Sequence, residues 1–232
     1  MTSGILNIYK PTGPTSHDIV DKVRRITGIK QVGHAGTLDP FAEGILIVLI
    51  GPTTKLQSKF MEMPKTYVAT LRFGATSDTY DKAGKIQDTC LAARRAKYKI
   101  QTITKKQIQK ILKQFVGEIN QIPPAFSAIK IKGKKAYELA RKGIKPELKP
   151  RKVKIYDIQC RKYRWPYLEI KVKCGKGTYI RSLAHDIGQK LFCGAYLEKL
   201  VRTEVGKFNI KNSVKINKLT PGNWQSYLLK IN

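Results

Sequence analysis

The sequence predicts an α+β fold, and three observations carry the prediction. Strand-like and helix-like stretches are mixed without a regular strand–helix–strand alternation. The 232 residues are 41% hydrophobic, enough to bury one substantial core. No internal repeat or low-complexity segment points to a solenoid or a linker.

The elements follow in chain order. Ile5 to Tyr9 reads as a short strand, ended by the loop Lys10-Pro11-Thr12-Gly13-Pro14. Thr15-Ser16-His17-Asp18 resembles a capping box, after which Ile19, Val20, Val23 and Ile26 recur at helical spacing until Gly28. Two glycines and a proline make Gly33 to Pro40 a loop. The apolar run Ile45 to Ile50 suits either a buried strand or the start of a buried helix, and Thr53 to Met61 a short helix. Thr66 to Phe73 alternates as a strand, with Tyr67, Ala69, Leu71 and Phe73 on one face, and runs into the polar loop Thr76 to Gly84.

Thr104 and Gln107 cap a second amphipathic helix, whose stripe is Ile108, Ile111, Leu112 and Phe115 and which Gly117 closes. After Pro123-Pro124, Phe126 to Ile131 reads as extended and Lys134 to Lys142 as a short basic helix. Arg151 to Tyr163 and Tyr167 to Cys174 are strands joined at Trp165-Pro166. Gly177 to Leu191 is a helix with Ile180, Leu183, Ala184 and Ile187 inward, and a last strand falls near Leu197 to Val205. Asn209 to Asn232 is too short for a second domain and reads as a tail.

Charge is unevenly spread. Residues 1–90 hold 11 basic and 8 acidic side chains, whereas residues 91–232 hold 34 and 8. Within the second part, Lys130 to Arg164 carries 14 basic residues against 3 acidic ones. Biased codon usage would explain 34 Lys against 11 Arg, but not the failure of acidic residues to keep pace. Such a field attracts polyanions through release of phosphate counterions, so a nucleic acid is the expected partner.

Other classes are disfavoured. The longest apolar run, Ile45 to Ile50, is far too short to span a bilayer, and the N-terminus lacks the pattern of a signal peptide. The expectation is a cytoplasmic protein that uses no membrane. Cys90, Cys160, Cys174 and Cys193 form no C-x-x-C pair, and His17, His34 and His185 are not spaced as ligands, so no metal is implied. Cys174-Gly175-Lys176-Gly177-Thr178 lacks the phosphate-loop frame, and nothing fits a dinucleotide fingerprint.

The loop from Gly33 to Gly44 places a histidine and a carboxylate followed by proline between an amphipathic helix and a buried apolar run. A short loop anchored on both sides can hold a side chain rigidly. Viewed alone, Asp39-Pro40 is also an ordinary turn opening, and His34 could simply hydrogen-bond the turn.

The longer string decides between these. Gly33-His34-Ala35-Gly36-Thr37-Leu38-Asp39-Pro40-Phe41-Ala42-Glu43-Gly44-Ile45-Leu46 resembles the signature of the bacterial tRNA pseudouridine-55 synthases and their guide-RNA-dependent relatives. Four more segments resemble the same family in the same order: Gly4 to Pro11 with Gly13; Lys65-Thr66-Tyr67 with the loop Asp78 to Gly84; Pro123 to Lys130 through Gly133 to Tyr137; and Gly177 to Leu183. The likeness spans roughly residues 4 to 206.

The resemblance implies a pseudouridine synthase fold, a mixed, mainly antiparallel sheet flanked by helices with a central RNA-binding cleft. It implies a catalytic domain over residues 1–208, a basic RNA-clamping insertion at 126–150, and a tail at 209–232 in place of the C-terminal PUA domain found in many members. By the same resemblance Asp39 is the catalytic carboxylate, Tyr67 stacks on the target base and helps move the C5 proton, and Arg181 pairs with the carboxylate. Tyr179 and Leu200 line the uracil pocket, and His34 lies beside the extruded nucleotide. Lys10 belongs to a motif under the active-site floor and, with Lys130 and Lys134, to the RNA-binding set.

The implied reaction is isomerisation of the T-loop uridine of tRNA by a monomer that needs no cofactor and no metal. A non-catalytic tRNA-binding protein and a guide-dependent rRNA synthase are the alternatives.

Overall fold

The computed structural model describes residues 2–89, 103–131 and 133–230. Cys90 therefore lies outside the described residues. The strands are β1 (Gly4–Lys10), β2 (Val32–His34), β3 (Glu43–Ile50), β4 (Lys65–Phe73), β5 (Ala75–Ser77), β6 (Ile86–Asp88), β7 (Gly117–Gln121), β8 (Lys130–Ile131), β9 (Lys134–Lys135), β10 (Arg151–Arg164), β11 (Tyr167–Cys174), β12 (Ala195–Val205), β13 (Phe208–Asn209) and β14 (Val214–Lys215). The helices are α1 (Ser16–Thr27), α2 (Gln57–Glu62), α3 (Lys105–Lys113), α4 (Ala136–Arg141) and α5 (Ile180–Lys190). They form two compact units, Met1–Val68 with Leu200–Asn232, and Ala69–Lys199. β4 and β12 each contribute residues to both units.

In the first unit β3 pairs antiparallel with β1, from Gly4 opposite Ile50 to Lys10 opposite Gly44, and parallel with β12 through Val201 and Arg202. The run Ile45 to Ile50 is a strand because both its faces are covered. Leu46, Val48 and Ile50 pack with Ile19, Val20 and Val23 of α1, while Ile45, Ile47 and Leu49 pack with Phe60 and Phe208. A strand buried on both faces reads as a continuous apolar run, and each such side chain contributes about 1.5–3 kcal/mol.

The capping box that opens α1 is formed as expected, with Thr15 accepting from the Asp18 amide and Asp18 from the Thr15 amide, and Gly28 ends the helix at φ 71°. The expected loop Gly33 to Pro40 begins instead inside β2, because Val32, Gly33 and His34 pair with Ile50, Leu49 and Val48. Pairing to a well-buried strand outweighs the weak strand propensity of glycine. The stretch read as a tail supplies Val214, Ile216, Leu219 and Trp224 to the α1 side of the core, and β14 pairs with β1.

In the second unit β10 pairs antiparallel with β11 and with β7, and β4 lies beside β11. The Thr104–Gln107 capping box opens α3, which packs on β10 and against α5. Val153, Ile155, Ile158, Leu168, Ile170 and Val172 are buried, the alternation of β10 being shifted by a bulge between Ile155 and Asp157, and Ile180, Leu183, Ala184 and Ile187 of α5 are all buried. The expected extended stretch Phe126 to Ile131 is strand only at Lys130–Ile131. Residues 125–128 form a bend, whose Phe126 carbonyl is used by a side chain of α5. Both units are therefore mainly antiparallel sheet flanked by helix. No helix among the described residues is long and apolar enough to cross a membrane.

Candidate active site

Asp39 sits half-buried in the loop between β2 and β3, and the backbone on both sides of it is pinned. The Ser16 hydroxyl, buried at the start of α1, accepts from the Leu38 amide at 2.8 Å and donates to the Leu38 carbonyl at 3.0 Å. Beyond Asp39, the Ala42 amide donates to the Asp39 carbonyl and the Gly13 amide to the Pro40 carbonyl. Arg202 of β12 reaches both sides of Asp39, donating from Nε to the Ile45 carbonyl at 2.7 Å and from Nη2 to the Gly36 carbonyl at 3.0 Å, with Nη1 3.4 Å from the Thr37 carbonyl. Arg202 is 1% exposed. Gly44 is what lets its strand approach, since a Cβ there would lie 2.3 Å from the Arg202 carbonyl oxygen.

Lys10 is the second buried cation of this floor. Its ammonium donates to the Pro11, Pro14 and Pro40 carbonyls at 2.8, 2.9 and 3.4 Å, and the residue is 0% exposed. It is thus sealed from solvent beneath the Asp39 loop. Burial pushes its pKa down to about 8; the Asp39 charge opposes that shift and the Arg202 charge adds to it.

Tyr67 is 9% exposed on β4, and its neighbour Thr66 donates to Glu204 at 2.8 Å and accepts from Thr203 at 3.2 Å, which fixes this end of β4. Leu200 is buried on β12. His34 is half-buried on β2, and burial first, then the Arg202 and His17 charges, hold its pKa below the usual histidine range. Its imidazole is neutral at pH 7. Tyr9 donates to Glu43 at 2.7 Å, and burial with that carboxylate raises its pKa to about 12.

The remaining expected residues lie in the second unit. Arg181 is 5% exposed on α5; its Nη1 lies 3.4 Å from Asp81 and 3.1 Å from the Thr79 carbonyl, and its Nη2 2.9 Å from the Phe126 carbonyl. Asp81 in turn accepts from the Thr79 hydroxyl at 2.7 Å and the Ala83 amide at 2.9 Å. The carboxylate this unit gives Arg181 is therefore Asp81. Tyr179 caps α5, its backbone held from both sides by the buried Gln121 amide at 2.8 and 3.1 Å. Lys130 and Lys134 are exposed on the β8–β9 hairpin, followed on α4 by Tyr137, whose ring faces Lys135 and Arg141 at 5.5 and 5.3 Å.

Sequence reasoning missed Ser16, Asp81, Gln121 and Arg202. Only two left a usable signal: Asp81 lies in a polar loop that already belongs to the family likeness, and Arg202 is a charge inside an otherwise strand-like run.

Two solved structures share this architecture. A Cbf5-Nop10-Gar1 complex superposes over 97% of this chain at 28% identity with a TM-score of 0.72, and an archaeal box H/ACA sRNP Nop10-Cbf5 complex over 96% at 27% identity with 0.68. This chain spans 55% of each of those chains.

An α+β fold with a pinned aspartate loop of this sequence defines the class of pseudouridylate synthases. Residues 24–180 match the N-terminal domain of TruB family pseudouridylate synthases, and residues 181–229 a tRNA pseudouridylate synthase B C-terminal domain. The chain belongs to the TruB family.

Relatives called tRNA pseudouridine synthase B include that of Clostridium tetani, 44% identical over 98% of this chain and 76% of its own length. Those of Caldanaerobacter subterraneus and Dehalococcoides mccartyi are 47% and 48% identical, over 94% and 91% of this chain and 74% and 68% of theirs.

Proposed function

We propose that this chain isomerises a T-loop uridine of tRNA to pseudouridine, with Asp39 as the catalytic carboxylate. The observation that carries this reading is the immobilised Asp39 loop above two buried cations, in a chain whose relatives are called tRNA pseudouridine synthases. In the reaction the C1′–N1 bond breaks, uracil turns, a C1′–C5 bond forms, and the proton leaves C5 while N1 ends protonated. Nothing is oxidised or reduced, so the chemistry calls for no redox cofactor.

A carboxylate fixed in space can add to the base, attack the ribose or remove a ribose proton, and all three routes demand the same rigid placement. The target must leave its stack to reach Asp39, a task for which the apolar and aromatic residues Tyr67, Tyr179 and Leu200, together with His34, are suited. Lys130 and Lys134 are suited to phosphate contacts. We read the protein as a cytoplasmic monomer.

The test is conversion of a T-arm minihelix. Wild type is expected to form pseudouridine, and Asp39→Asn to lose the rate by about 10³-fold or more while retaining binding. If wild type and variant both bind and neither converts, the protein is a tRNA-binding module. The likeness to H/ACA complexes favours one second reading, a guide-dependent synthase. Activity on free RNA without accessory proteins excludes it.

A further inference from the structure

His185 follows Arg181 by four residues on α5, so the two side chains leave the same face of the helix one turn apart. Opposite them is the turn after β5, in which the Tyr80 amide donates to the Ser77 carbonyl. The residues on either side of Tyr80 both address Arg181, Thr79 through its carbonyl and Asp81 through its carboxylate.

Tyr80 itself has φ 61° and turns the other way, with its ring stacked on the His185 imidazole at 4.0 Å between centroids and 15° between planes. That backbone region favours glycine or asparagine, and a bulky ring there needs a compensating contact. His185 supplies it as an aromatic surface. Its Nδ1 is buried with no hydrogen-bond partner among the described residues, and burial holds its pKa below the usual histidine range, so the ring is neutral at pH 7.

We propose that the Tyr80–His185 stack is a positioning device for the uridine site, clamping the turn so that Thr79 and Asp81 together fix the Arg181 guanidinium. The inference rests on the reading that Arg181 serves that site. It assigns Tyr80 and His185 no contact with substrate, and it explains why a residue that tolerates this backbone poorly stands between two that grip the same arginine.

The test is the single-turnover rate on saturating T-arm RNA, with RNA affinity and melting temperature measured alongside. Tyr80→Phe keeps the ring and is expected at the wild-type rate. Tyr80→Gly accepts the backbone but removes the ring, and is expected to slow the reaction roughly tenfold to a hundredfold with affinity unchanged. His185→Ala should slow it similarly, with His185→Phe restoring the rate.

Against Arg181→Lys, Tyr80→Gly should cost nothing further, since residues acting through one another are not additive. A wild-type rate for both Tyr80→Gly and His185→Ala overturns the proposal, as does a full additional loss in the Arg181→Lys background. A wild-type rate for Arg181→Lys alone removes the role of Arg181 and the inference with it; activity in Asp39→Asn refutes the catalytic reading separately.

Discussion

The two buried guanidinium groups, Arg202 in the first unit and Arg181 in the second, are held in opposite ways. Among the described residues the hydrogen bonds of Arg202 go only to carbonyl oxygens, those of Gly36, Thr37 and Ile45. Arg181 meets two carbonyls and the Asp81 carboxylate. A buried cation bound only by carbonyls keeps its full charge while its rigid fork dictates the path of the backbone it grips. With Lys10 it sets two buried cations under the Asp39 loop. Arg181 has a counter-charge, so its placement is fixed with far less influence on its surroundings. One arginine shapes a loop and biases its electrostatics, and the other is itself the group being held.

The largest expected effect follows from removing the first. Arg202→Met fills similar space but strands carbonyls of Gly36 and Ile45 in a buried floor, at about 1–3 kcal/mol for each acceptor left unpaired. A loss on the order of 3 kcal/mol in urea unfolding is expected, with conversion of T-arm RNA reduced even under conditions where the variant is fully folded. Unchanged stability would mean that Gly44 and Ser16 suffice to shape the loop, and the contrast between the two arginines would lose its meaning.

Lys10 sharpens the same contrast through pH. Its pKa is about 8 in the fold against 10.5 when free. Between these values the unfolded chain binds more protons than the folded one, so this group makes stability rise with pH; below about 8 both states carry the charge and the fold bears the full cost of burying it. Between pH 7 and 9.5 wild type should therefore gain on the order of 2 kcal/mol relative to Lys10→Met, at about 1.4 kcal/mol per pKa unit. Parallel pH profiles for the two proteins would show that the Lys10 ammonium is buried without penalty.

Much of the fold was legible in the sequence, because local rules and tertiary packing agreed there. The capping boxes at Thr15 and Thr104 and the alternation of Tyr67, Ala69, Leu71 and Phe73 give their elements directly. The run Ile45 to Ile50 was ambiguous because a strand covered on both faces has no period of its own. β2 was hidden by Gly33, whose conformation is set by pairing with Leu49, a partner distant in sequence. β13 and β14 are two residues each, too short to carry a pattern.

In the site, the Asp39 loop was legible only through its extended string, because Asp-Pro by itself also makes a turn. Arg202 showed only as a charge in a strand-like run, and Gln121 and Ser16 left no usable signal. Their importance lies in which carbonyls and amides they reach, and composition does not record that.

The smallest effect on stability is expected where the cations are exposed. Lys130 and Lys134 lie on a solvent-facing hairpin in the basic half of the chain, so replacing both with Ala should leave the unfolding midpoint in place, unlike either change in the floor. RNA binding should register them instead. Each phosphate contact contributes about 0.9 to the slope of log affinity against log salt, so the double variant should flatten that slope by roughly 1–2 units. Wild type, with 34 basic against 8 acidic residues after position 90, should show a steep slope to begin with. A shallow wild-type slope, worth one or two phosphates, would mean that the excess charge faces solvent rather than RNA. A steep slope untouched by the double variant would move the contacts off this hairpin to other cations of the same half.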